Sequence, residues 1–205
     1  MYTPAQAAVV TGLSLRAVRK ATENRLVPAR TLRIGKNRRC FLSEEALVCL
    51  HLESVGLSLF PPATRRKLFA EILRNPNQRI FRPASSVTVD LQSSRRTVSM
   101  ALRELRKAES MVTENPDVLS GTPVFRGTRV PVHQIALEFE YGATIDEVME
   151  SYPSVSREQA ALATAYARAH PRTGRPSRQP WHGTHPVKTI HITIPGFGMG
   201  RKKSV

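Results

Sequence analysis

Residues 116–132 read PDVLSGTPVFRGTRVPV, and this stretch carries the strongest structural signal in the chain. Gly121 and Gly127 supply the backbone freedom that tight turns need. Pro131 has no N–H group to donate, so a strand is expected to end there. The stretch therefore predicts two short strands, each preceded by a turn.

Three helices are predicted after this strand pair. The first covers about residues 133–141 and is closed by Gly142, and Thr144 caps the second, which stops before Pro153. Residues 156–159 form a capping box that opens the third, which ends at about residue 170. A strand pair with three short helices predicts a small homeodomain-like module, and residues 116–169 hold only four basic against seven acidic side chains.

The string GTPVFRGTRVPV at residues 121–132, followed by Gly142, Tyr152-Pro153 and AYA at 165–167, closely resembles the antitoxin family known as domain of unknown function 433. The resemblance covers about residues 112–170. It implies a VapB-like antitoxin, encoded beside a PIN-like ribonuclease toxin, in which this module supports dimer assembly. Two interpretations stay open for Arg126 and Arg129: they make a functional contact, or they fix the turn by hydrogen bonds to backbone carbonyls or carboxylates.

The N-terminus has helix-turn-helix spacing. Thr3 and Gln6 form a capping box around Pro4, which predicts a helix to about Val10. Gly12 turns the chain, and Ser14 caps a second helix over about residues 15–24. Its basic side chains lie away from the apolar stripe, which suits a helix that enters a major groove; they are Arg16, Arg19 and Lys20.

A two-stranded wing is predicted next, with strands at 31–34 and 40–42 and a cationic turn at 35–39. A further helix opens at residues 43–46. Residues 2–52 resemble the winged DNA-binding unit of the MerR regulator superfamily, on AAVVTGLS at 7–14, Val18-Arg19 and FLSEE at 41–45. The predicted DNA contacts are Ser14, Arg16, Arg19, Lys20, Lys36, Asn37, Arg38 and Arg39. A trihelical protein-binding module is the alternative.

Residues 54–115 form a basic connecting segment. A helix is predicted at about 63–73, a strand carries Val87, Val89 and Leu91, and Ser93 or Ser94 caps a longer helix to about residue 110. Five cations crowd the outer side of that helix: Arg95, Arg96, Arg103, Arg106 and Lys107. They make either a solvated face or a supplementary phosphate contact.

The tail, residues 171–205, is basic and too poor in clustered apolar residues to fold alone. PIN-like nucleases hold carboxylates around a metal, so an arginine-rich segment with an aromatic anchor suits their cleft. Apolar and polar residues alternate over 187–194, which is typical of a strand that adds to the edge of another protein's sheet. The predicted toxin contacts are Arg172, Arg175, Arg178, Trp181, Ile190 and Ile192. The alternative is a tail that adds nonspecific DNA affinity. His182 and His185 lack a third ligand, so no metal site is predicted.

Composition narrows the class of protein. The 31 Lys and Arg against 16 Asp and Glu give a net charge of +15, which favours polyanion partners. No apolar run approaches the about 20 residues of a membrane span, and Cys40 and Cys49 lack zinc spacing, so a cytoplasmic protein is expected. Phosphate-binding, zinc-protease and nucleophile-elbow motifs are absent from the sequence, so we expect neither enzymatic activity nor a cofactor.

The sequence thus predicts a mainly α chain with short β hairpins in four parts. These are a winged helix-turn-helix (1–53), a connecting strand and helix segment (54–115), a homeodomain-like three-helix module (116–170) and an extended basic tail (171–205). The expected function is a type II antitoxin that neutralises a PIN-like ribonuclease toxin, binds operator DNA as a dimer or tetramer and represses its own operon. The alternative is a free-standing MerR-like regulator whose C-terminal module binds an effector or a protein.

Overall fold

A computed structural model describes residues 1–84 and 87–172 of the chain. Its described elements are mainly helices, with three short antiparallel strand pairs between them. In chain order they are α1 (Pro4–Thr11), α2 (Leu15–Glu23), β1 (Arg30–Ile34), β2 (Asn37–Phe41), α3 (Glu44–Ser54), α4 (Pro62–Arg74), β3 (Ile80–Ala84), β4 (Val87–Asp90), α5 (Leu91–Ser110), β5 (Val112–Thr113), β6 (Val124–Phe125), α6 (Val132–Glu140), α7 (Ile145–Ser151) and α8 (Arg157–Ala169).

The first helix begins and ends where the local sequence predicts. The Thr3 backbone N–H donates to Gln6 Oε1 at 2.8 Å, and the Gln6 N–H donates back to Thr3 Oγ1 at 3.2 Å, which completes the capping box. Gly12 ends the helix at φ 72°, a left-handed conformation that is strained for residues with a side chain. Ser14 then caps α2, so the two helices are joined by a turn of three residues.

One apolar core unites the first five helices. Val18 of α2 and Leu42, which follows β2, are fully buried, as are apolar side chains of α3, α4 and α5. Ala169 at the end of α8 belongs to the same core. Its largest fully buried members are Leu42, Leu47, Leu50, Leu68, Phe69, Ile72, Leu91, Leu102 and Leu105.

The start of α5 differs from the sequence prediction. Asp90 is the N-cap, because its Oδ1 accepts from the N–H groups of Gln92 at 2.8 Å and Ser93 at 3.4 Å. Leu91 is therefore the first residue of the helix rather than the end of a strand, and it lies fully buried. The preceding strand β4 pairs with β3, a strand that the sequence analysis did not predict.

The second apolar core lies among α6, α7 and α8. Phe125, Val132, Ile135, Val148 and Ala163 are among its buried members. Thr144 caps α7 and Ser156 caps α8 as predicted, and each completes a capping box with the residue three positions ahead.

Strand β6, beside this core, pairs with a different strand from the one predicted. Strand β6 pairs with β5, upstream of the glycine-rich stretch. The expected second strand is a single bridge between Val124 and Pro131. A 3-10 turn, Leu119–Gly121, fills the intervening loop, and Ser120 within it has a positive φ of 55°.

Residues Met1–Arg172 form one compact unit. Helix α8 contacts α1 and α5 as well as α6 and α7, so it borders both cores. The domain division at residues 53, 115 and 170 stays a prediction. In the part of the chain that the structure describes, each helix is too short or too polar to cross a membrane.

Candidate nucleic-acid interface

Helix α2 presents a cationic outer face. Ser14 Oγ accepts from the Ala17 N–H at 3.2 Å, and Val18 anchors the inner side in the core with no exposed surface. The side chains of Arg16, Arg19 and Lys20 are exposed. Within residues 1–84 and 87–172, no carboxylate forms an ion pair with any of the three. Their charge is therefore available to a polyanion.

The β1–β2 hairpin is longer than the sequence indicated. Strand β2 begins at Asn37, so the turn consists of Gly35 and Lys36 alone, with Gly35 at φ 63°. The predicted five-residue turn at 35–39 is wrong, because Arg38 and Arg39 belong to the strand. A two-residue turn with glycine first fits the right-handed twist of the flanking strands. Both arginines are thus held by strand register.

Strand alternation sorts the hairpin's side chains onto two faces. Thr31 pairs with Cys40 and Arg33 with Arg38, and these four residues project to one side, which we call the groove face. Arg39 pairs with Leu32 on the opposite, outer face, where Leu32 is 45% exposed. Thr31 and Cys40 line a groove between the hairpin and α2. Arg33 and Arg38 therefore lie on the side of the hairpin that borders α2.

This groove is open, has a volume of about 1010 Å³ and is floored by Phe69 and neighbouring apolar residues of α4. Three arginines line it from three elements or connections: Arg19, Arg25 and Arg66. Arg66 also lines a second groove, of about 490 Å³, on the Lys20 side of α2. Of the predicted contacts, Arg19 lines the groove, Arg38 lies on the hairpin face that carries Thr31 and Cys40, and Arg39 lies on the opposite face.

Three cations of this surface were not among the contacts predicted from the sequence: Arg25, Arg33 and Arg66. The available signal for Arg66 was the run Arg65-Arg66-Lys67 on a helix. Arg65 is instead held by Glu53, whose Oε2 accepts from Arg65 Nη1 at 2.8 Å. Arg25 follows α2 with a positive φ of 51°.

The two cysteines are free thiols. Burial raises the pKa of the Cys40 thiol in the groove. Burial raises the pKa of Cys49 in α3 to about 12, against the opposing effect of the nearby Arg95 guanidinium. Both thiols are protonated at neutral pH and lack the lowered pKa of a reactive cysteine.

A hydrogen-bonded junction connects α1, α5 and α8. Glu109 Oε1 accepts from Gln6 Nε2 and from His170 Nε2, each at 2.8 Å. Because Gln6 also caps α1, a continuous chain of bonds runs from Thr3 to His170. The described chain ends two residues later, at the exposed Arg172.

Aromatic rings surround this junction. Tyr166 stacks on His170 with centroids 4.6 Å apart and lies edge-on to His133 at 6.2 Å. Burial raises the pKa of Tyr166 to about 12, and Glu114 and Glu109 add to the rise. Burial lowers the pKa of His133, whose Nε2 donates to the His170 carbonyl at 2.8 Å while its buried Nδ1 has no hydrogen-bond partner among the described residues.

Arg172 is the one predicted toxin contact that lies within the described residues. The other five, Arg175, Arg178, Trp181, Ile190 and Ile192, lie outside them. Arg126 of the glycine-rich stretch fixes the turn, since its Nε donates to the Ser110 carbonyl at the end of α5 at 3.2 Å. Arg129 is exposed.

Comparison with known proteins defines the class first. Residues 112–167 match the family described as "Protein of unknown function (DUF433)", and we call this stretch the DUF433 region. The chain is also 31% identical over 185 residues to the uncharacterized protein y4eO of Sinorhizobium fredii (strain NBRC 101917 / NGR234), covering 85% of this chain and 84% of that protein. It belongs to the same protein family as y4eO. The X-ray crystal structure of Rv2018 from Mycobacterium tuberculosis matches at 16% identity, over 80% of this chain and 96% of that one, with a TM-score of 0.28, a likeness too weak to define the fold.

Proposed function

We propose that this protein is a DNA-binding antitoxin of a type II toxin–antitoxin system. In this proposal α1, α2 and the β1–β2 hairpin form a MerR-like winged helix-turn-helix that binds operator DNA. The observation that carries it is the exposed cationic surface shared by α2 and the groove face of the hairpin, whose cations form no ion pair within residues 1–84 and 87–172.

The physical fit to a duplex is direct. A helix with its side chains is about 10–12 Å across and fills a major groove about 12 Å wide. Arg16, Arg19 and Lys20 then face base edges and phosphates, while Arg33 and Arg38 reach the neighbouring phosphates from the hairpin. Guanidinium groups suit this task because their forked N–H donors match phosphate oxygens.

The toxin half of the proposal rests on the resemblance of residues 112–170 to VapB-like antitoxins. In it the DUF433 region assembles the protein into a dimer or tetramer, and the basic tail from Arg172 onward binds the carboxylates of a PIN-like ribonuclease. Autorepression follows, because an oligomer presents paired α2 helices to an inverted repeat in its own promoter.

The DNA proposal is tested on the full-length chain with its own promoter fragment. Replacing Arg16 and Arg19 by alanine is expected to abolish a footprint that the unchanged protein gives. The matched control is Arg129→Ala with Arg157→Ala, which removes the same two charges from exposed positions of the DUF433 region, where the Arg157–Asp146 ion pair is exposed and contributes little. Equal losses in both variants contradict the assigned surface.

The toxin proposal needs a separate readout. The neighbouring open reading frame is coexpressed with the full chain, and a PIN-like ribonuclease is expected to copurify and to lose activity. Changing Arg172, Arg175 and Arg178 to glutamate is expected to release the ribonuclease while the promoter footprint stays. A footprint without any copurifying nuclease favours a free-standing regulator instead.

A further inference from the structure

A second cationic surface lies on α5, outside the proposed winged helix-turn-helix. Its inner side is buried in the core, and four of its outer side chains are exposed cations, which we call the α5 basic face: Arg96, Arg103, Arg106 and Lys107. At about 3.6 residues per turn, Arg103 and Lys107 lie within about 20° of Arg96 around the helix. The four span about 16 Å, which is the axial length of about five base pairs.

Only part of the charge on this face is compensated, since Arg106 has Glu44 and Glu109 near it and Lys107 pairs with Glu158. Among residues 1–84 and 87–172, neither Arg96 nor Arg103 forms an ion pair, and only Lys107 of the four does, with Glu158. The neighbours of Arg96 three and four positions away are serine, glutamine and methionine. Arg103 has Arg106 and Lys107 at those positions, an arrangement that destabilises a helix. A solvated connecting helix would instead carry alternating charges.

The α5 basic face is physically tied to the hairpin. Arg106 Nη2 donates to the Tyr2 hydroxyl at 2.9 Å. Tyr2 exchanges two backbone hydrogen bonds with Leu42, the residue that follows β2, at 2.9 and 2.8 Å. The end of α5 is therefore held at the base of the hairpin whose groove face is assigned to DNA.

We infer that the α5 basic face is a second DNA surface, which binds the phosphate backbone of duplex flanking the operator without reading its sequence. This inference rests on the proposed DNA-binding function and extends its footprint. Arginine and lysine on a rigid helix neutralise phosphates and release counterions, and the side chains of Gln92, Ser93 and Ser99 around Arg96 add donors for phosphate oxygens.

The experiment uses the full-length chain and two duplexes from its own promoter. One is trimmed to the footprint that the Arg96→Ala, Arg103→Ala variant leaves, and the other extends it on both sides. Arg96→Ala with Arg103→Ala is expected to lower the slope of log affinity against log salt by about 1.8 on the long duplex, since each phosphate contact contributes about 0.9. Over a fourfold rise in salt, the affinity of the variant therefore falls about 12-fold less than that of the unchanged protein. The short duplex is expected to show no change.

Two further variants make the test decisive. Arg96→Lys with Arg103→Lys keeps the charge and is expected to bind the long duplex with the unchanged slope. Arg129→Ala with Arg157→Ala is the charge-matched control. Thermal unfolding of the alanine variant is expected at or above the temperature of the unchanged protein, because alanine favours helix and the substitution relieves repulsion.

The outcomes separate the two proposals. If the unchanged protein binds neither duplex, the proposed DNA-binding function fails. If it binds both and the alanine variant matches the control on the long duplex, the α5 inference fails alone. The inference is also overturned if the alanine variant binds the long duplex as the unchanged protein does but loses binding to a single-stranded RNA oligomer, since the partner of this face is then RNA.

Discussion

Arg33 and Arg38 are expected to bind DNA, whereas Arg30 and Arg39 on the same hairpin are not. The first pair lies on the groove face, and the second pair lies on the outer face with Leu32. All four side chains are exposed. Replacing either pair by alanine in the full chain removes two positive charges from one hairpin, so the two double variants are matched in charge and alter opposite faces.

The expected magnitude follows from the number of contacts. Loss of two phosphate contacts lowers the slope of log affinity against log salt by about 1.8. When salt rises from about 50 to 200 mM, the affinity of the variant therefore falls about 12-fold less than that of the unchanged protein. Arg33 and Arg38 are direct cross-strand partners of like charge. Their removal relieves this repulsion, worth about 0.2–1 kcal/mol, but also removes the bond from Arg33 Nε to the Gly35 carbonyl at 3.3 Å, so thermal unfolding of both double variants is measured beside binding.

The assay is fluorescence anisotropy of a labelled promoter duplex at a series of salt concentrations. The Arg33/Arg38 variant is expected to show the shallower slope, and the Arg30/Arg39 variant the unchanged one. Equal slopes in the two variants, or the shallower slope in the Arg30/Arg39 variant, refute the assignment of the groove face.

Three further predictions concern stability. Asp90→Ala is expected to lower the free energy of unfolding by about 1 kcal/mol in urea titrations, because α5 loses its N-cap acceptor; an unchanged midpoint contradicts the cap. Glu109→Ala is expected to lower it by about 1–2 kcal/mol, since Gln6 and His170 lose their shared acceptor, with a penalty reduced by partial exposure. The lowered pKa of His133 means that the unfolded chain binds more protons below about pH 6.5, so the urea midpoint is expected to fall from pH 7.5 to 5.5, and less so in His133→Gln.

The helix starts were predictable because their signals are local. Thr3, Ser14, Thr144 and Ser156 each bond to a backbone N–H three positions ahead, which a sequence displays directly. Asp90 was not predicted as the cap because it ends an apolar alternation and is followed by Ser93 and Ser94, which are equally suitable caps. Only the pairing of β4 with β3 shows that the strand ends at Asp90.

The strand partners were not predictable for a different reason. β5 and β6 are separated by the whole 3-10 loop, and nothing within two residues of either strand specifies the pairing. β3 contains Pro83, which argues against a strand when only the sequence is considered. Both pairings depend on contacts between distant parts of the chain.

The cationic surface was predicted in composition but not in geometry. The sequence identified Arg16, Arg19 and Arg38, whose elements have strong local signals. It placed Arg38 and Arg39 in a turn, where no alternation applies, so their opposite orientations were invisible. Arg66 joins the surface only because α4, which packs on α3, lines the grooves on both sides of α2.

The short hairpin turn constrains how this family can vary in length. Gly35 and Lys36 leave no slack, so a single inserted or deleted residue in β2 would exchange the two sides of the strand and carry Arg38 away from α2. Related chains that keep the same electrostatic contact are therefore expected to gain or lose hairpin residues in matched pairs, one on each strand. Odd changes should coincide with an arginine displaced by one position.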